Sequence, residues 1–213
     1  MKTETFLRLA GIEYAVEVVT DPRKLPKGKG PVIKHEDRII ADSTFIQGYL
    51  MQRFELTIDD HLTASRRATA HAFSRMLEER YYWAIVYSRW SDPAGWRIIQ
   101  EFWFGHLSWP MKPLLRNIYH KKMLGDLYAH GLGRHSRDEI YQLASHDLRA
   151  VADYLADKPY FLGQQVSSVD AVVYAMLANT IDIPLDTPLQ TLAQKHENLV
   201  AYCKQMKARY FSD

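Results

Sequence analysis

Two spacings of apolar residues divide the chain near residue 57. Before that point short elements alternate. Phe6, Leu7 and Ala10 share one face of a helix over residues 3–10, which Gly11 stops. The valine-rich run 14–19 predicts a strand. Residues 21–30, dense in Pro, Gly and Lys, predict an irregular loop. Two short strands, 32–33 and 38–40, flank a His35-Glu36-Asp37 turn, and a helix opens at Asp42-Ser43 and runs to about Phe54. Beyond residue 57 the period is helical, with segments at 60–90, 94–104, 112–130 and 198–211. Two more helices announce their starts. Ser136-Arg137-Asp138-Glu139 is a capping box, in which serine and glutamate side chains satisfy orphan N–H groups, and Ser167-Ser168-Val169-Asp170 is the same device before the apolar run 171–178.

The pattern predicts a small α/β unit over residues 1–56 and an all-helical unit over 57–213. The α/β unit reads as incomplete, because its first helix begins at the second residue with no strand before it. A first strand upstream of Met1, with Met1 an internal methionine, is the expectation. Composition narrows the classes. Lys and Arg number 27 against 25 Asp and Glu, a balance that argues against a surface built mainly for nucleic acid or anionic membrane. The single cysteine, Cys203, excludes an internal disulfide and reads as a buried small hydrophobe. No apolar run approaches the ~20 residues that span a bilayer. Lys2, Glu4 and Arg8 break up any signal-peptide core, so cytoplasm is the expected compartment.

Gly30-Pro31-Val32-Ile33, followed by Ile40-Ala41-Asp42-Ser43-Thr44, resembles the thioredoxin-like half of glutathione S-transferases. The segment His130 to Ser136, the stretch Pro159-Tyr160-Phe161-Leu162-Gly163 with its capped helix, and Asn198-Leu199-Val200-Ala201-Tyr202 resemble the failed-axon-connections and metaxin-like branch. The resemblance covers essentially the whole chain. It implies a thioredoxin-like, glutathione-binding domain at 1–56, lacking its first strand, and a helical C-terminal domain. It also implies a cis-proline at Pro31, glutathione as co-substrate and, by family habit, a homodimer. In relatives the turn bearing the sulfur-binding group precedes the first helix, so the resemblance puts the catalytic position upstream of Met1. Thr3 and Thr5 are the fallback hydroxyls.

Glutathione chemistry needs an anchor for the γ-glutamyl ammonium and carboxylate, a template for its backbone, and help in ionising its thiol. Asp42 and Ser43 suit the first task, since a helix N-terminus offers free N–H groups and positive dipole; an ordinary N-cap is the bland alternative. Gly30, Pro31 and Val32 suit the second, strand fashion, and Lys29 can meet a carboxylate. The third has only the two threonines. Tyr82, Trp83 and Tyr87 could line a pocket for a small apolar electrophile, with core packing as the alternative for most aromatics there. The nine histidines have no recognised ligand spacing, so no metal is expected. Two functions stay open: a glutathione transferase, or a non-catalytic interaction protein on the same fold.

Overall fold

The structure, a computed structural model, describes residues 1–19 and 21–212, apart from the side chain of Pro22. Helix α1 (Lys2–Leu9) buries Phe6 and Leu7 on one face. After two 3-10 turns, Pro22–Lys24 and Pro26–Gly28, strands β1 (Val32–His35) and β2 (Arg38–Ala41) form an antiparallel hairpin. Its register pairs Val32 with Ala41 and His35 with Arg38, and the tight Glu36-Asp37 turn holds Glu36 at φ 53°. Helix α2 (Ser43–Arg53) packs Ile46 and Leu50 against Phe6 and Leu7 of α1.

The strand expected at 14–19 does not form. The segment is extended, yet Val16 and Val18 are 72% and 82% exposed, and β1 and β2 pair only with each other among the described residues. β propensity describes a side chain that fits a pleated, half-covered surface, and without a neighbouring strand there is no ladder to join. The near end of the segment is tied to α1 instead: the Tyr14 hydroxyl donates to Glu4 (2.9 Å) and accepts from Arg8 Nε (2.7 Å).

The helical half holds α3 (Ala64–Arg75), α4 (Tyr82–Trp90), α5 (Pro93–Phe104), α6 (Met111–His130), α7 (Arg137–Leu155), α8 (Ser168–Ile181), α9 (Pro188–Gln194) and α10 (Glu197–Tyr210). The single helix expected at 60–90 is two, joined by a π-helical turn over Met76–Tyr81. That turn aims Leu77 and Tyr81 into the core, where the Tyr81 hydroxyl donates to Thr180 Oγ1 (3.0 Å), and it places Arg80 against the buried Asp147 carboxylate. Helix α9 was not anticipated: its only signals are Thr187 as N-cap and Pro188 at the first position.

Both predicted capping boxes form. The second is the polar centre of the main core. Asp170 is fully buried and accepts from the N–H groups of Phe161 (2.8 Å) and Ser167 (2.9 Å), from Ser167 Oγ (3.0 Å) and from the Tyr202 hydroxyl (2.9 Å). Cys203 is buried, as its setting in the last helix suggests. Helix α8, buried nearly all round, is the pillar on which the halves meet, with Ala171 in the small core formed by α1 and α2.

Candidate functional site

The β hairpin returns the chain so that its two ends lie side by side. Pro31 enters β1, Asp42 leaves β2, and the Asp42 N–H donates to the Pro31 carbonyl at 3.2 Å. One backbone bond thereby joins the proline strand to the start of α2. The Gly30–Pro31 peptide is cis, as the resemblance implies. Asp42 has φ 81° and is the N-cap of α2, its Oδ1 accepting from the Thr44 N–H at 2.9 Å. That bond accounts for one carboxylate oxygen and leaves the other open to a ligand. Ser43 Oγ makes no hydrogen bond among the described residues.

The electrostatics follow from this placement. The Thr44 N–H holds the Asp42 carboxyl below the usual range; partial burial opposes this, and the charges of Lys27, Lys29 and Lys2 reinforce it. Three ammonium groups, two from the 27–29 turn and one from the start of α1, therefore act on one carboxylate. Lys27 lies over the Phe45 ring at 4.6 Å, on the same turn of α2 as Ser43. Lys2 pairs with Glu78 of the π-helical turn, so the start of α1 is fastened to the helical half. The result is a cationic rim around a helix N-terminus and one anion, a pattern suited to a zwitterion with surplus carboxylate.

The structure brings together Lys29, Gly30, Pro31, Val32, Asp42 and Ser43, all of them named from the sequence. It separates the others. Thr5 is fully buried, its hydroxyl donating to the Met1 carbonyl at 3.0 Å. Thr3 Oγ1 is buried without a partner. Trp83 stacks on His130 at 4.6 Å, and Tyr87 meets Tyr141 edge-on at 5.9 Å; both pack against the main core. Tyr82 is exposed and is the one of the three aromatics left open to a ligand.

Sequence reading missed Lys2 and Lys27, which belong to no motif. It also missed the polar pair facing the start of α1. The Asn179 amide lies 3.3 Å from the Met1 sulfur, and Asn179 in turn accepts from Arg89 Nη2 through its carbonyl (2.7 Å) and its Oδ1 (3.1 Å). Burial pushes the Arg89 guanidinium down from its ordinary range, and its Nε is buried without a partner. These residues are 90 apart in sequence, on α4 and α8, so only the fold joins them. Among the described residues, no group of three or more His, Cys, Asp or Glu side chains is placed to hold a metal ion, and no helix is long and apolar enough to cross a membrane.

Comparison with known proteins bears on family and fold. Residues 1–95 match the family profile described as glutathione S-transferase N-terminal domain, and residues 144–206 match glutathione S-transferase, C-terminal domain. An isoprene-epoxide–glutathione S-transferase of Rhodococcus sp. (strain AD45) is 31% identical over 98% of this chain and 90% of its own length. Failed axon connections of Drosophila melanogaster is also 31% identical, over the whole of this chain, which spans only 54% of that longer protein. Among solved structures, a beta-etherase of Sphingobium sp. strain SYK-6 superposes with a TM-score of 0.66 at 17% identity, covering 100% of this chain and 94% of that one. The two-domain fold, a small β-containing domain followed by a larger helical one, is the same.

Proposed function

Because the chain belongs to the glutathione S-transferase family, we propose that it binds reduced glutathione along the Pro31–Ser43 seam and transfers its sulfur to a small apolar electrophile. The observation that carries this reading is the Asp42–Pro31 backbone bond, which sets a helix N-terminus beside an extended strand entrance. On this reading the γ-glutamyl carboxylate takes the free N–H groups of α2 and the Ser43 hydroxyl, and its ammonium takes the second oxygen of Asp42. The backbone on either side of Pro31, at Gly30 and Val32, receives the cysteinyl backbone, and Lys29, Lys27 and Lys2 attract the remaining charge. With an epoxide the step is an addition: a C–S bond forms, a C–O bond breaks, and the thiol proton ends on the ring oxygen. The Rhodococcus relative, named for such a substrate, is matched over nearly its whole length, which makes epoxides the first electrophile class to test.

A second reading, an interaction protein on the same fold, is favoured by the equal identity to failed axon connections and by the burial of the Thr5 hydroxyl. Calorimetric titration with reduced glutathione, followed by a conjugation assay with a small epoxide, separates the two. The transferase reading expects saturable binding that Asp42→Ala weakens at least tenfold, together with turnover. Binding unaffected by Asp42→Ala would remove the proposed seam, and binding without turnover across a panel of electrophiles would leave the interaction protein.

A further inference from the structure

Helices α5 and α6 form an antiparallel hairpin, held by the Trp96–His120 stack at 4.0 Å, by Arg116 to Gln100 at 3.5 Å, and near the turn by the Lys112–Glu101 pair at 3.1 Å. Most of it lies in residues 96–143, which neither family profile matches. Its turn end carries large apolar side chains in solvent. Phe102 is 77% exposed, Trp103 54% and Trp109 83%, and Met111, Leu114 and Ile118 continue from the turn along α6. Met111, Leu114 and Ile118 recur at helical spacing on the face opposite the buried Leu127. An exposed run of this kind marks an interaction surface.

Charge selects the occupant. Between residues 93 and 130 stand Arg97, Lys112, Arg116, Lys121 and Lys122 against Glu101 and Asp126. The two acids are each already paired, with Lys112 and Lys122, while Arg97, Arg116 and Lys121 have no carboxylate partner among the described residues. The balanced total for the whole chain therefore conceals a cationic hairpin. A second copy packed face to face about a two-fold axis would bring this surplus against itself. An anionic surface neutralises it. Tryptophan at the tip, aliphatic residues behind it, and Arg116, Lys121 and Arg97 further back towards the Trp96–His120 stack are the ingredients of an interfacial lipid contact.

We propose that the turn end of the α5–α6 hairpin docks on an anionic lipid surface, inserting Phe102, Trp103 and Trp109 among the headgroups, as a peripheral contact without a membrane span. The proposal does not depend on the glutathione reading. The test is co-sedimentation of the full chain with vesicles of phosphatidylcholine alone and with about 30% phosphatidylglycerol, alongside quenching of its fluorescence by brominated lipid. The expected results are binding to the anionic vesicles only, weakening with added salt, and quenching on binding. The double variant Phe102→Ser, Trp109→Ser should lose binding about tenfold or more, and Arg97→Glu, Lys121→Glu should abolish the preference for anionic lipid. All four side chains are solvent-exposed, so unchanged melting temperatures would certify the fold of both variants. Equal binding by wild type and the double variant, no binding to anionic vesicles, or a homodimer that the double variant converts to monomer would each overturn it.

Discussion

Asp170 shows what one buried side chain does for this molecule. Four donors converge on its carboxylate from the Tyr160–Gly163 turn, the cap of α8 and the middle of α10. Asp170→Ala would orphan these groups in a site without water access, at a cost of about 3 kcal/mol or more. For a chain of this length that corresponds to a drop of roughly 6–12 °C in melting temperature, measurable by calorimetry. Cys203 is inert, because burial pushes its thiol up and away from the reactive thiolate. A thiol reagent at about pH 8 should leave it unmodified in the native protein and label it once the chain is unfolded. Asp42 behaves oppositely. Its folded-state pKa is depressed, so the stability its ionised form contributes is fully present above the unfolded value of ~3.9 and is lost as pH falls through the lower folded value. On the proposed binding mode, glutathione affinity should therefore be flat between about pH 7 and pH 5 and should fall only below ~3.9, a profile readable by calorimetric titration.

Among the helices, two glycines make opposite predictions. A Cβ on Gly95 would sit 1.9 Å from the Ser88 carbonyl oxygen, where α5 departs from α4. Gly95→Ala must push the two helices apart, at roughly 3 kcal/mol. Gly125, inside α6, has nothing within 4 Å of that position, and Gly125→Ala should stabilise by up to about 1 kcal/mol through helix propensity alone. Urea midpoints of the two variants should move in opposite directions. These close approaches are invisible in the sequence, whereas the capping boxes at Ser136 and Ser167 were legible because a cap is chosen by residues three apart. The same division explains the rest. The hairpin and the α2 cap rest on local signals and form where the sequence puts them. Residues 14–19 misled because a strand is a property of two segments, and local composition reports on one. The π-helical turn went unseen because its register is set by Tyr81 reaching Thr180 on another helix, and Arg89 meets Asn179 only through the fold.

The whole molecule adds a coupling that neither half has alone. All five tryptophans lie between residues 83 and 109, in the helical half, while the proposed glutathione seam lies between residues 29 and 43 in the other. Tryptophan fluorescence thus reports on one half and ligand acts on the other. The halves share buried structure: Phe6 and Leu7 of α1 cluster with Ala171 of α8, Arg8 Nη1 donates to the Tyr210 carbonyl at 2.9 Å, and Lys2 pairs with Glu78. Such shared contacts predict that unfolding is a single cooperative event. Glutathione at ~100 times its dissociation constant adds ~2.7 kcal/mol to the folded state. The fluorescence-detected melting temperature should then rise by roughly 5–10 °C although no tryptophan touches the seam. The far-UV signal should move with it. If the fluorescence midpoint stays fixed while titration calorimetry shows saturable binding, the halves unfold independently, and the α1–α8 contact does not transmit the ligand's stabilisation to the helical half.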